Sequence, residues 1–111
     1  MYPCKRSGAV DTISGSLPLT RDHQSAFLSS VESCFGNGQP RIVFDMAQVP
    51  LMDSVGIEAL LEARDRCHKL GGSIVLATPT PLCRDILRIN GIDKELNVYD
   101  DAVKAIGSFA R

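Results

Sequence analysis

The sequence lacks tryptophan, has only two histidines, and contains no apolar run long enough to cross a membrane. A transmembrane helix needs about 20 largely apolar residues, so no membrane span is expected. The four cysteines form no CxxC pair and are far apart in the sequence, at Cys4, Cys34, Cys67 and Cys83. This spacing is not typical of a zinc site or of a disulfide framework. We therefore expect four ordinary thiols in a reducing compartment, with no metal and no cofactor.

Neither sign of charge dominates, because 12 Lys and Arg stand against 13 Asp and Glu, for a net charge of −1. The sequence has no basic stripe interleaved with aromatic residues, so a direct nucleic-acid partner is not expected. The N-terminal segment lacks the apolar centre of a signal peptide, which favours a cytoplasmic location. A chain of 111 residues that is 44% hydrophobic can bury one core, and we expect a single domain over residues 1–111.

Hydrophobic periodicity predicts the element order β-β-α-β-α-β-α-β-α. Continuous apolar runs in two strands indicate burial on both faces of a sheet. Strand–helix–strand crossovers require parallel neighbours, so the predicted fold class is α/β, a mixed sheet of four to five strands packed against about four helices. The predicted strands lie near Tyr2–Lys5, at Ala9–Ser14, Arg41–Asp45, Ser73–Ala77 and Asn97–Tyr99, and the helices run from Thr20 or Asp22 to Phe35, from Asp53 to Leu70, from Pro81 to Ile89, and from Asp100 onward.

Each predicted helix has an apolar face and a start signal. We expect side-chain caps at Asp53, Thr80 and Asp100, and an ion pair between Glu62 and Arg66. Glycines after the second and third helices predict left-handed helix ends. The predicted buried faces are Phe27, Leu28, Val31 and Phe35; Ile57, Leu60, Leu61 and Arg64; Leu82, Ile86, Leu87 and Ile89; and Val103, Ile106 and Phe109.

The tetrapeptide Asp53-Ser54-Val55-Gly56 stands where a buried strand has ended and the longest predicted helix begins. Unpaired backbone N–H groups and the positive end of the helix dipole make this position suitable for a phosphate. We interpret Ser54 as a regulatory switch residue and Asp53 as an N-cap that also orients the Ser54 hydroxyl. Gly56 has no side chain, and we interpret it as an opening through which a partner or phosphate approaches. Simpler alternatives remain: Asp53 is only a cap, Ser54 an ordinary exposed serine, and Gly56 a close-packing residue.

In this arrangement of motifs the chain resembles a STAS domain, and most closely the stand-alone bacterial anti-sigma-factor antagonists. The resemblance implies a protein that binds a serine-kinase anti-sigma factor and thereby frees a sigma factor. It implies phosphorylation of Ser54 by that kinase, which releases the antagonist, and restoration by a metal-dependent serine phosphatase. It covers about Gly8 to Phe109 and is carried by the strand ending at Asp45, Met52–Gly56, Gly71-Gly72, the proline after the next strand, and Asn90–Ile92.

The resemblance also places a partner-binding surface on the loop after the first hairpin and on the start of the long helix. The candidate contact residues are Ser16, Pro18, Ile57 and Glu58. The sequence departs from the family pattern in its short first strand, in Val55, where Ser, Thr or Ala is frequent, and in Pro18, where an acidic residue is frequent. We expect a monomer or a weak dimer.

Two alternative functions compete with this interpretation. A serine hydrolase would need a Gly-x-Ser-x-Gly elbow and a histidine placed against the serine, but neither His23 nor His68, predicted as surface helix residues, stands in such a motif. Glycine-rich phosphate loops and the acidic cluster of a receiver domain are also absent from the sequence, so we expect no catalytic residue and no enzyme. The second alternative is a STAS module of an anion transporter or of a lipid-trafficking ABC transporter, which binds without phosphorylation; residues 49–57 are reminiscent of the transporter tails.

Overall fold

A five-stranded mixed sheet forms the centre of the structure, a computed structural model that describes residues 2–36 and 38–110. The strands lie side by side in chain order, the first pair antiparallel and the others parallel. The predicted class, element order, and number of strands and helices are confirmed. The strands are β1 Cys4–Ser7, β2 Val10–Ile13, β3 Arg41–Asp45, β4 Ser73–Ala77 and β5 Val98–Tyr99, and the helices are α1 Gln24–Ser33, α2 Ser54–Lys69, α3 Pro81–Ile89 and α4 Ala102–Gly107.

Helices cover both faces of the sheet. A strand order without reversal places successive right-handed crossovers on the same side, and the buried residues of α1, α2 and α3 accordingly share one core cluster. Helix α4 packs on the other face, where Ala105 lies against Val43 and Val75. The central strands β3 and β4 are therefore buried on both faces, as their continuous apolar runs predict.

The start of α2 lies at the carboxyl edge of the parallel strands, because α2 must run back along the sheet between β3 and β4. Just before it, Met52 forms a parallel bridge with Leu19, a residue of the loop after the hairpin. The backbone N–H of Leu19 donates to the carbonyl of Leu51 at 3.0 Å, and the N–H of Asp53 donates to the carbonyl of Leu19 at 3.3 Å. The loop after β2 is thus joined directly to the start of α2.

The first strand runs over Cys4–Ser7 and not over Tyr2–Lys5 as predicted. Tyr2 is buried before the strand begins. Its ring packs edge-on against Phe27 and Phe44, at centroid distances of 5.6 and 6.0 Å. The prediction was wrong because the burial of an aromatic ring in the core, and not strand propensity, decides the conformation at this end of the chain.

Two helix starts also differ from the prediction. A 3₁₀ turn over Arg21–His23 precedes α1, and the side chain of Thr20 makes no capping hydrogen bond. The final helix is capped by Asp101, whose carboxylate accepts a hydrogen bond from the N–H of Lys104 at 2.7 Å, and not by Asp100. A further 3₁₀ turn, at Ile92–Lys94, was not predicted. The segment after the predicted end of α1 at Phe35 includes residue 37, which lies outside the described residues.

The buried face of α2 is made mostly of small residues. It shares only Leu60 with the face that was predicted to be buried. Ile57 and Leu61 are only half-buried, and Arg64 forms ion pairs with Asp65 and Glu95. Small side chains let the helix approach the neighbouring segments closely. The buried residues of α2 are Gly56, Ala59, Leu60, Ala63 and Cys67.

Helices α3 and α4 expose several residues that were predicted to be buried. Leu82, Ile89 and Val103 are 52%, 77% and 80% exposed. Leu87 of α3 is buried as predicted, and the other buried side chains of these helices are Cys83 and Ala105. Short helices touch the sheet along a narrow strip, so the apolar period overstates what they bury.

Candidate functional site

Ser54 is the first residue of α2, and its side chain is exposed to solvent. The hydrogen bonds at this helix start are made by Asp53 and not by the Ser54 hydroxyl. The hydroxyl therefore stands free beside the first backbone N–H groups of the helix, where the dipole is positive. This geometry suits a group that is to be modified or contacted from outside.

Asp53 is the N-cap of α2, as predicted, and it also holds a distant segment. Its Oδ1 accepts a hydrogen bond from the N–H of Gly56 at 2.8 Å, and its Oδ2 accepts one from the N–H of Arg21 at 3.2 Å. Both oxygens thus bind backbone N–H groups, so the observed contacts do not include the Ser54 hydroxyl. The pKa of Asp53 is lowered, chiefly because the Gly56 N–H stabilises the ionised form, with slight burial opposing and the Arg21 N–H reinforcing.

Gly56 is buried against the loop that follows β2 and offers no opening to a partner. A Cβ at this position would lie 1.9 Å from the carbonyl oxygen of Leu19 and 2.8 Å from its carbonyl carbon. The interpretation of Gly56 as a path for a partner or phosphate is therefore wrong. The close-packing alternative is correct, although the neighbour is the loop backbone and not the sheet.

The predicted partner-binding residues divide into exposed and half-buried ones. Ser16 and Glu58 are exposed, whereas Ile57 is half-buried and packs against the core. The half-buried Pro18 has a structural contact: its carbonyl accepts hydrogen bonds from the Tyr2 hydroxyl at 3.1 Å and from His23 Nδ1 at 3.0 Å. His23 is thus half-buried and bonded, and was wrongly predicted to be a surface residue.

Two residues near the start of α2, Arg21 and Leu51, were not predicted from the sequence. Arg21 donates its N–H to Asp53 across 32 residues of sequence, and no local pattern could have indicated this pairing. Leu51 is 42% exposed, although it is a large apolar residue two positions before Asp53. Its position beside the tetrapeptide was the one signal that could have found it. We define the switch surface as Ser16, Leu51, Ser54 and Glu58.

Asp45 closes the turn after β3. Its Oδ1 accepts a hydrogen bond from the N–H of Ala47 at 3.0 Å and another from the hydroxyl of Thr78. Thr78 has a positive φ of 50°, uncommon for a residue other than glycine. The Asp45 carboxylate thereby ties together the ends of β3 and β4 at the edge that carries α2.

A second polar cluster lies beside the edge strand β1. The Sγ atoms of Cys4 and Cys34 are 3.2 Å apart, and a carboxylate oxygen of Asp11 lies within 4.8 Å of both. The guanidinium of Arg6 is 3.6 Å from Asp11. All four cysteines are free thiols, and this pair differs from the other two because its sulfur atoms are in contact. Burial, followed by the neighbouring Cys4 and Asp11, raises the pKa of Cys34, and burial raises the pKa of Cys67 to about 11.

The capping hydrogen bonds of Asp53 predict a specific loss of stability in acid. A carboxylate with a lowered folded-state pKa contributes stability above its unfolded pKa of about 3.9, and this stability is lost as the pH falls through the folded value. An Asp53→Asn variant retains an acceptor oxygen for Gly56 but does not titrate. We expect its urea midpoint to fall less than that of the wild type between about pH 4 and pH 2.

The matched control for this experiment is Asp93→Asn, because Asp93 is exposed in the 3₁₀ turn far along the chain from α2. The control variant should follow the acid dependence of the wild type. Identical acid dependence in wild type and Asp53→Asn would contradict a charged cap. Circular dichroism follows each unfolding curve, since the sequence has no tryptophan.

These features define a class of protein: an α/β domain with a mixed sheet, three helices on one face, and a capped helix start that presents a free serine. The chain belongs to the STAS domain family, whose family model matches residues 12–105. STAS domains are regulatory and binding modules. Among the described residues, no helix is both long and apolar enough to span a membrane.

Solved structures of other proteins have the same fold. An anti-sigma factor antagonist from Mycobacterium paratuberculosis aligns with a TM-score of 0.87 and 19% identity, over 100% of this chain and 94% of that chain. An anti-sigma-factor antagonist (STAS) domain protein from Planctomyces limnophilus aligns with a TM-score of 0.84 and 21% identity, over 99% and 98%.

A sulfate transporter family protein from Wolinella succinogenes is also similar, with a TM-score of 0.79 and 20% identity, over 92% of this chain and 85% of that chain. At these identities the likenesses establish the shared fold. Comparison of the sequence with the curated proteins finds no match.

Proposed function

We propose that this protein is a cytoplasmic, non-enzymatic anti-sigma-factor antagonist. It binds a serine-kinase anti-sigma factor and frees a sigma factor. Phosphorylation of Ser54 by that kinase releases it, and a metal-dependent serine phosphatase restores it. The observation that carries this proposal is the exposed hydroxyl of Ser54 at the first position of a helix whose start is fixed by Asp53.

The electrostatics of the helix start favour a switch that acts on an interface. Phosphorylation adds roughly −1.5 to −2 charges to a serine. The helix dipole and the first N–H groups stabilise a negative charge at Ser54, while the carboxylate of Asp53 next to it opposes that charge. These two effects offset each other within the domain, so the fold tolerates the phosphate, whereas a partner surface pressed against it does not.

The switch surface supplies the contacts that such a partner needs. Leu51 gives an exposed apolar group beside Ser54, and Ser16 and Glu58 give exposed polar groups. The pairing of Leu19 with Met52 holds the loop after β2 against the start of α2, so a partner can contact both segments together. A kinase that binds this surface has Ser54 within it, and a phosphate there interrupts the contact.

The experiment is intact-mass spectrometry after incubation with ATP and the serine-kinase anti-sigma factor encoded in the same genome. We expect one phosphate on the wild type and on Ser29→Ala, and none on Ser54→Ala. Ser29 is the matched control because it is also exposed and helical, but lies inside α1. Phosphate on Ser54→Ala would move the acceptor elsewhere, and no phosphate despite kinase binding would reject the switch.

A second candidate function is a STAS module that binds a transporter without phosphorylation. It is favoured by the similarity to the Wolinella succinogenes protein. It is also favoured by the apolar segment before the tetrapeptide, in which Leu51 is exposed. The same mass experiment distinguishes the two candidates. A protein that neither binds the kinase nor accepts phosphate would fit the transporter module.

A further inference from the structure

We propose that Cys4 and Cys34 form a reversible intramolecular disulfide, with small-molecule disulfides such as oxidised glutathione as the oxidant. The pair joins the edge strand β1 to the C-cap of α1, and neither cysteine belongs to the start of α2. The inference holds whether or not Ser54 accepts phosphate, because it rests on different residues.

The geometry brings two thiols from distant parts of the chain into contact. Cys4 lies on the exposed edge strand β1, and Cys34 is the buried C-cap residue that directly follows α1. Their sulfur atoms are 3.2 Å apart across a sequence separation of 30 residues. Because β1 pairs with β2 alone, its free edge can move by the small amount that a sulfur–sulfur bond of about 2.05 Å requires.

The accessibilities of the two thiols set the order of the reaction. Cys4 is exposed and meets the oxidant first, whereas Cys34 is shielded and its S–H donates to the carbonyl of Ser30 at 3.4 Å. The Cys4 thiolate attacks one sulfur of the oxidant, whose disulfide bond breaks and releases one small thiol. Cys34 Sγ then attacks Cys4 Sγ, loses its proton, and releases the second small thiol. Two electrons and two protons pass from the two cysteines to the two released thiols.

A disulfide fits this cluster better than a metal ion does. Two thiolates bound to tetrahedral zinc at about 2.3 Å lie about 3.8 Å apart, farther than the 3.2 Å observed. The third donor, Asp11, is already within 3.6 Å of the Arg6 guanidinium. A metal site would hold two thiolates and the Asp11 carboxylate in a largely buried cluster. A disulfide is neutral, so it adds no negative charge beside Asp11.

The test equilibrates the reduced protein with mixtures of reduced and oxidised glutathione in the presence of a chelator, followed by acid quenching and mass spectrometry of non-reduced peptides. We expect a mass loss of two hydrogens and one cross-linked peptide that joins residues 4 and 34. The equilibrium constant should be on the order of a hundredfold larger in the native protein than in guanidinium, because the fold holds the sulfurs together. By linkage, the bond should raise the folding equilibrium constant by the same factor.

Cys4→Ser and Cys34→Ser should each abolish the cross-link, whereas the control Cys67→Ala should leave it intact. A stable glutathione adduct on Cys4 without the internal bond would overturn the proposal, as would pairing with Cys67 or Cys83, or equal constants in native and unfolded chains. One equivalent of zinc in place of the chelator gives a further test. Undiminished oxidation supports the disulfide, and protection by zinc assigns the cluster to a metal and overturns it.

Discussion

Gly56→Ala will destabilise the protein by about 3 kcal/mol or more, the upper end of what overpacking a well-filled core costs. The added methyl would lie 1.9 Å from the carbonyl oxygen of Leu19, and a backbone atom cannot rotate away as a side chain can. Relief requires the loop to separate from the start of α2. That separation breaks the hydrogen bond from the N–H of Asp53 to Leu19 and loosens the one from the N–H of Arg21 to Asp53.

Urea unfolding followed by circular dichroism measures this loss of stability. The matched control is Gly107→Ala, since Gly107 also lies in a helix but a methyl group there would meet no atom within 4 Å. That variant should be unchanged or up to about 1 kcal/mol more stable, because alanine restricts the unfolded chain. Equal effects of the two substitutions would show that helix propensity, and not the Leu19 contact, determines the response at Gly56.

Under the proposed function, we expect a single phosphate on Ser54 to weaken binding to the serine-kinase anti-sigma factor about a thousandfold, which corresponds to about 4 kcal/mol. The cost arises because a dianion that is hydrated in the free protein must lose water against the partner surface. The free energy of unfolding should change by less than about 1 kcal/mol, since the N-terminus of α2 stabilises an added negative charge. We therefore expect the phosphate to act on binding and not on folding.

Titration calorimetry with phosphorylated and unmodified protein measures the change in affinity, and urea unfolding of both forms measures the change in stability. Ser54→Ala should bind as the unmodified protein does, and Ser54→Asp should fall between the two forms because it carries only one charge. Ser29→Asp, on the exposed side of α1, is the control for added charge. A phosphorylated protein that binds equally well would refute the switch, and one that unfolds would place its action in the fold.

The two predictions separate the two roles of neighbouring positions in one tetrapeptide. Gly56 faces inward and contacts the loop after β2, whereas Ser54 is exposed and is the proposed phosphate acceptor. A Gly56→Ala variant should therefore lose stability and binding together. A Ser54 variant should change binding alone.

Much of the fold could be predicted because its signals are local. Continuous apolar runs gave β3 and β4 with their observed bounds, and Asp53 and Thr80 cap their helices as expected. The left-handed glycines at Gly71 and Gly91 also follow from helix-end chemistry. Each of these features depends on a few neighbouring residues, so a short stretch of sequence is enough to predict it.

Features that depend on distant residues could not be predicted. Apolar period suggested that Leu82 and Ile89 are buried, but the crossing of α3 over the sheet leaves both exposed. For the candidate site, the sequence identified Ser54 and its cap but reversed the role of Gly56, whose neighbour Leu19 comes from another loop. Nothing near Asp53 in sequence indicates that it also binds Arg21.

The sequence by itself determined the α/β class, the order of the elements and the position of a serine at the start of α2, because periodicity and capping act within a few residues. Only the tertiary structure decided which surfaces meet. The loop after β2 lies against the start of α2, and Cys4 lies against Cys34 across 30 residues. Such contacts result from packing the whole core at once, since each depends on the positions of all the elements between the two residues.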